Sequence, residues 1–329
     1  LLHEYLENGA DKNPNFPFSE FEGNSLSYQE ANLLSNQLAN KLVSEGLEVG
    51  DRFAFLAKNC TEMAIMYYAA SKVGAVPVPL NYRLADQEWA YIINDSEAKL
   101  IIVKGNEYSD RINQISSELK NVKKYISISL DNSIEKFQDF YDWLSDSSNE
   151  KPTLKIHEND DVYQMYTSGT TGHPKGAVLL QRNVAANIRQ YLNSLTLPRP
   201  SRTLLVAPMY HAAAMINMCG CIAIGGTIVI QEDFIPQDVV DCLANEKITH
   251  TVLVPAMIQA CLVSVPNVAN NEYNDLDQIH YGASPIAPET LKKAMDVFKC
   301  KFGQGFGMTE TVAVICLMTP EEHIRALNE

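Results

Sequence analysis

Short apolar runs along this chain are separated by segments whose apolar positions follow a helical period, and the two alternate from Arg52 onward. "RFAFLA" predicts a strand, residues 62–73 an apolar-faced helix, "AVPVPL" an extended piece, "DQEWAYIIND" a helix and "AKLIIV" another strand. The alternation resumes at "RTLLVAP" and passes through "GGTIVIQ", a helix over 237–245, "THTVLVP", a helix over 256–263 and "QIHYG". It ends with a helix over 288–298 and a strand at "CKFGQG". Such repetition predicts an α/β fold of mostly parallel sheets flanked by helices. "HAAAMINMCGCIAIGG" is too short and too broken by Gly and Asn to cross a bilayer, so it reads as a buried helix. Residues 129–160, rich in Asp, Ser, Asn and Glu, read as an exposed polar excursion.

Parallel sheets bind ligands at the carboxyl ends of their strands, so polar or glycine-rich motifs should follow strands directly. Four do: "TSGTTG" after "VYQMY", "MYHAAA" after "TLLVAP", "GASP" after "QIHY", and "GQGFGMTE" after "CKF". The first lies in "YTSGTTGHPKGAVLL", where glycines open the backbone, hydroxyls add donors and Lys175 adds charge, a combination suited to an oxyanion such as phosphate. It is not the GxxxxGK[ST] loop: counting from Gly169, Pro174 holds the place of the second Gly, and Gly176 stands where a Ser or Thr should bind magnesium. An apolar run, "GAVLL", precedes any helical pattern, which starts at Asn183, so the order is strand, loop, strand, without a helix N-terminus to cradle phosphate.

A chain of 329 residues can bury a large core and divide into two or more lobes, and 46% hydrophobic with 20% charged residues is ordinary for a globular protein. The net charge of -14 argues against a nucleic-acid partner, whose backbone rewards a basic surface. The seven cysteines form no CxxC pair and mostly sit in apolar runs, which points to buried, reduced thiols and a cytoplasmic location.

Six motifs in order resemble the adenylate-forming enzymes, the family of acyl-CoA synthetases, firefly luciferase and peptide-synthetase adenylation domains. They are "LSYQEANLLSNQLANKL", "GAVPVPLNYRL", "YTSGTTGHPKG", "PMYH", "YGASPIAPE" and "GQGFGMTET". The resemblance implies two interleaved lobes, 46–189 as one and 1–45 plus 190–329 as the other, with ATP in the cleft. It implies an ATP-dependent acid–thiol ligase: a carboxylate attacks the α-phosphate of ATP to give an acyl-adenylate and pyrophosphate, then coenzyme A takes the acyl group. By position, Thr167, Ser168, Gly169, Thr170, Thr171, Gly172 and Lys175 would hold the β- and γ-phosphates. Gly282, Ala283 and Ser284 would line adenine, with Gln304, Gly305 and Gly307 alongside and Phe306, where the family usually has Tyr, stacked on the ring. Thr309 would donate to the α-phosphate, Glu310 would bind Mg2+, and His211 would gate the acid pocket and the thiol route.

Peptide-synthetase domains carry an Asp after the pocket aromatic to pair with an ammonium. Here Tyr210 and His211 are followed by "AAAMINM" with no acidic residue until Glu232, which disfavours an amino acid. The alanines leave room, and Met215, Met218 and Met308 offer adaptable apolar walls that suit a fatty or other hydrophobic acid; each Met or Ala taken singly reads equally well as core. After "LMTPEEHIRALNE" the family pattern would continue into a small C-terminal lid with the adenylating Lys, so the resemblance implies a truncated N-terminal domain with little activity alone. Two alternatives stand: transfer to a carrier-protein thiol, and a non-catalytic nucleotide-binding scaffold. A ligase of lipophilic acids also has reason to touch a membrane surface, although no amphipathic basic helix announces it.

Overall fold

Among the described residues, fifteen strands are present, following the expected alternation and adding a hairpin near the amino end. In chain order they are β1 (Pro17–Phe21), β2 (Asn24–Ser27), β3 (Arg52–Leu56), β4 (Val76–Leu80), β5 (Leu100–Lys104), β6 (Lys124–Ile128), β7 (Phe137–Asp139) and β8 (Asp161–Thr167). The rest are β9 (Lys175–Leu180), β10 (Arg202–Leu205), β11 (Thr227–Ile230), β12 (His250–Leu253), β13 (Gln278–Gly282), β14 (Lys301–Phe306) and β15 (Cys316–Met318). The computed structural model describes residues 1–129, 134–167, 172–195 and 197–328. The chain divides into two units, Leu1–Asp11 with Gln29–Ala185, and Lys12–Tyr28 with Ala186–Glu329.

The first unit holds an all-parallel sheet in the order β4-β3-β5-β6-β7 and the antiparallel ribbon β8-β9. Strands β3 and β4 are buried on both faces, which is why they read as continuous apolar runs rather than as alternating ones. The helix Thr61–Val73 is buried from Met63 onward, and Trp89 and Ile101 anchor the core.

The second unit holds a sheet in the order β15-β14-β13-β12-β10-β11-β1-β2. All neighbours from β14 to β1 run parallel, and only the edge strands β2 and β15 run antiparallel. The helices that begin at Pro236, Pro255 and Pro288 each carry that proline in their first turn, where its missing N–H is not needed.

Two expectations are corrected. Of residues 1–45, expected with the later segment, only Lys12–Tyr28 belongs there. Its β1 pairs with β11, and the Arg202 guanidinium meets both oxygens of Glu20 at 2.8 Å. The flanking helices fasten to the first unit instead, through the Leu2 N–H to Gln181 Oε1 at 3.0 Å and Lys41 to Asp146 at 2.6 Å. The polar stretch 129–160 is not all excursion, because Phe140 and Trp143 are buried, and the Trp143 indole donates to Glu45 Oε1 at 2.6 Å. The short helix Phe140–Leu144 forms because the Asp139 side chain accepts from the Tyr141 and Asp142 N–H groups.

Candidate active site

Strands β10, β12, β13 and β14 are consecutive neighbours, and residues just beyond their carboxyl ends line one cavity of about 340 Å³ in the second unit. The segment after β10 supplies Pro208 and His211, β12 is followed by Val254, β13 ends in Gly282 and Ala283, and β14 leads into Gly307, Met308 and Thr309. Three of the four motif positions expected at strand ends therefore meet at a single cavity. The fourth, the phosphate loop, belongs to the first unit.

The wall after β10 is set by helical phase. Ala212, Ala213 and Ile216 face the cavity, whereas Met215 and Met218, expected as pocket walls, are fully buried and absent from its lining. Met215 instead accepts from the Cys219 thiol at 3.3 Å, one turn along the helix Ala212–Ala223. His211 is the N-cap of that helix and an exposed part of the lining, with its ring 4.3 Å from that of Tyr210, which is itself buried.

The loop after β14 is held by unusual backbone. A Cβ on Gly307 would fall 1.4 Å from the Ala313 carbonyl oxygen, so only glycine lets the two ends of the loop cross. Val312 has φ 73°, strained for a β-branched residue, and Ala283 on the neighbouring loop has φ 65°. Asn187 clamps the loop from the side: its amide donates to the Val314 carbonyl at 2.8 Å, and its oxygen accepts from the Val314 N–H at 3.3 Å. Thr309 and Glu310 form a single helical turn with Thr311, and Glu310 is exposed. Phe306 is 65% exposed at the end of β14, an open aromatic face, while Gln304, Phe306, Glu310 and Ser284 lie off the cavity lining.

Beneath the apolar lining lies a layer of polar side chains that sequence reading missed. The Tyr191 hydroxyl is 2.9 Å from His250 Nε2 and donates to Asn217 Oδ1 at 3.1 Å; His250 Nε2 also lies 3.0 Å from Asn217 Oδ1. Burial holds the His250 pKa down to about 4 and pushes the Tyr191 phenol up. His280 stacks edge-on to His250 at 5.2 Å and lines the cavity; burial and the neighbouring His250 push its pKa well below the ordinary value. Its only sequence signal was a polar residue between Ile279 and Tyr281 in β13.

In the first unit, β8 and β9 pair from Asp161↔Leu180 to Thr167↔Lys175, so the expected strand, loop, strand order is present. Ser168, Gly169, Thr170 and Thr171 lie outside the described residues. Both limbs of the loop are tied to the helix Asp86–Asp95. The Tyr166 hydroxyl donates to Asp95 at 2.6 Å, His173 stacks on Tyr91 at 4.6 Å, and the Tyr91 hydroxyl donates to the Pro174 carbonyl at 3.3 Å. Lys175 is exposed. The described residues contain no group of three or more His, Cys, Asp or Glu able to hold a metal ion. A lone exposed carboxylate such as Glu310 suits magnesium, which takes one or two carboxylates and fills its shell with phosphate oxygens and water.

A long-chain-fatty-acid–CoA ligase of Mycobacterium tuberculosis is 29% identical over 91% of the chain and 58% of its own length. A fatty acid–[acyl-carrier-protein] ligase of Streptomyces coeruleorubidus is 30% identical over 96% of the chain and 59% of its own length. The chain thus spans somewhat under two thirds of the curated relatives it matches. The inhibitor-bound N-terminal domain of FACL13 from Mycobacterium tuberculosis superposes with a TM-score of 0.90 at 26% identity, covering 99% of this chain and 80% of that one. The strand-end motifs, the cavity they line and a match to the AMP-binding enzyme family across residues 6–328 agree, and the chain belongs to that family.

Proposed function

We propose that the protein activates a hydrophobic carboxylic acid with ATP and passes the acyl group to coenzyme A. The observation that carries this reading is the cavity whose wall changes from apolar, at Ala212, Val252 and Val254, to glycine-rich backbone at Gly282, Gly305 and Gly307. An acid's hydrocarbon part suits the first wall, and a nucleotide, which needs close backbone approach, suits the second. In the first step a carboxylate oxygen bonds to the α-phosphorus while the α–β anhydride bond breaks and pyrophosphate leaves; in the second a thiolate displaces AMP from the acyl carbon.

In this reading Thr309 donates to the α-phosphate and Phe306 stacks on adenine, flanked by residues 282–284 and Gln304. Thr167, residues 168–172 and Lys175 serve the outer phosphates. Glu310 would hold a magnesium ion, which would supply charge neutralisation at the phosphates. Tyr210, Met308 and His211 border the acid, with His211 at the thiol's entry. A relative that loads an acyl carrier protein favours a second acceptor, a carrier-protein thiol. Among the described residues no helix is long and apolar enough to cross a membrane, and the free, mostly buried cysteines support a cytoplasmic setting.

The test, on the full-length protein, is calorimetric titration with Mg-ATP and with a non-hydrolysable acyl-adenylate mimic, followed by acid-dependent exchange of pyrophosphate into ATP. Binding of the mimic in competition with ATP, and exchange driven by hydrophobic acids, are expected. Absence of binding by either ligand, or exchange driven only by amino acids, would overturn the reading.

A further inference from the structure

The cavity proposed for the acid reaches the same depth on every element that borders it. Along β12 and just past its end, Val252 and Val254 line it and His250 does not, although residues two apart on a strand share a face. On β13 the lining runs from Gly282 down to His280 and omits Gln278; on β14 it includes Gly305 and omits Gly303. Register ties these limits together, because Val252 pairs with His280 and His280 with Gly303. The helix Ala212–Ala223 repeats the pattern. Ala213 and Ile216 face the cavity, while Asn217 and Gly220, next along the same stripe, are buried and lie outside it.

One side chain occupies the next layer down. Tyr191 borders the cavity while only 2% exposed. Its hydroxyl donates to Asn217 Oδ1 at 3.1 Å and lies 2.9 Å from His250 Nε2, the residues at which the helix wall and the β12 wall stop. A Cβ on Gly220 would fall 2.8 Å from two carbons of the Tyr191 ring, so the ring fills the place that a side chain at 220 would take. The ring therefore closes the cavity at the level of His250, and hydrogen bonds made at that depth hold it there. Above it, from Gly282 to His280, two strand residues of depth are open, roughly 7 Å, the length of about six carbons or of one six-membered ring. A longer tail has to displace the ring, which overpacks the site and leaves the buried Asn217 and His250 without their partner. Resting on the proposed acid activation, we infer that Tyr191 is the specificity-determining residue that limits the length of the acid, and that the preferred acid carries a compact hydrophobic part rather than a long chain.

The experiment titrates the full-length protein with acyl-sulfamate adenylate mimics whose unbranched chains run from about four to about fourteen carbons. In the wild type, binding is expected to tighten up to about six carbons and to weaken at least about tenfold by about ten. Y191A is expected to move that limit outward by about four carbons, since it opens the next layer of the sheet, and to raise the ratio of long-chain to short-chain affinity at least about tenfold. Y191F, which keeps the ring and loses only the hydroxyl, is expected to keep the limit. The ratio is read within each variant, so a loss of stability that weakens all mimics equally leaves it unmoved. The pair Y191A/N217A also removes the amide that truncation leaves unpaired, and it carries the same expectation should Y191A not fold. Binding of the longest mimics as tight as that of the shorter ones in the wild type, or a limit unchanged in Y191A or in the pair, overturns the inference and leaves the acyl-adenylate reading standing. Failure of every mimic, short and long, removes that reading and this inference with it.

Discussion

Acidification should loosen the second unit before it protonates the carboxylates, because His250 is folded in its neutral form. Its side chain is fully buried among Tyr191, Asn217 and His280, and burial, only partly opposed by the Asp277 carboxylate, holds its pKa down to about 4 against 6.5 for the free side chain. The native pKa is depressed, so above the unfolded value both states are neutral and the group adds no pH dependence. As pH falls below that value the unfolded chain takes up a proton that the native state refuses, and stability declines until the native pKa is passed. With those two values the loss at about pH 5 is roughly 2 kcal/mol, and it approaches about 3 kcal/mol below the native pKa. Two kcal/mol corresponds to a roughly thirtyfold larger open population.

Both tryptophans, Trp89 and Trp143, belong to the first unit, so their fluorescence reports on the wrong part of the chain. The assay is hydrogen exchange of the β12 and β13 amides at about pH 7.5 and about pH 5, corrected for intrinsic rates. Glu20, whose pKa the Arg202 guanidinium lowers, loses stability only as pH falls below its ordinary value of 4.5, so this window isolates histidine. His250→Gln should remove about 2 kcal/mol of the pH sensitivity seen in the wild type. An unchanged pH response in that variant, or an NMR titration placing the His250 imidazole near its ordinary pKa, would refute the reasoning.

Gly307→Ala must move the Ala313 carbonyl from 1.4 Å to roughly 3 Å or more from the new Cβ, which displaces the Thr309 turn by more than an ångström. Acid-dependent pyrophosphate exchange should fall about a hundredfold while the melting temperature drops by only a few degrees, as the loop is exposed; retained exchange would contradict the crossing. The Arg202 and Glu20 pair, bidentate at 2.8 Å and partly buried, should show a coupling energy of about 1 kcal/mol in a double-mutant cycle read by chemical denaturation, shrinking as pH falls below 4.5.

Legibility followed period and position. Strands buried on both faces, such as β3 and β4, announce themselves as unbroken apolar runs, and proline marks helix starts, so the parallel architecture and the strand-end motifs could be read directly. The β1–β2 hairpin could not: its half-exposed strands are short, and what gives it to the second unit is pairing with β11, more than two hundred residues away. Met215 and Met218 were read by residue type, whereas helical phase decided which side chains met the cavity. Asn187 gave no local signal, and His280 only that of a polar residue within a strand, because their surroundings depend on Val314 and Gly303, brought alongside only by tertiary structure.

The sheet order explains why motifs scattered over a hundred residues can serve one substrate. From β10 to β14 the path crosses β12 and β13, three interstrand steps of about 4.8 Å, so the ends of the outer strands lie roughly 14 Å apart. The motif assigned to the acid follows β10, the two assigned to the nucleotide follow the adjacent β13 and β14, and β12 between them contributes the apolar Val252 and, just beyond its end, Val254. A substrate laid across these ends meets apolar side chains first and glycine backbone last, with the junction between β12 and β13. In the proposed reading that junction is where an acyl-adenylate would change from hydrocarbon to phosphate. In that reading the chain order of the motifs is incidental, and their lateral order in the sheet decides which end of the substrate each one would serve.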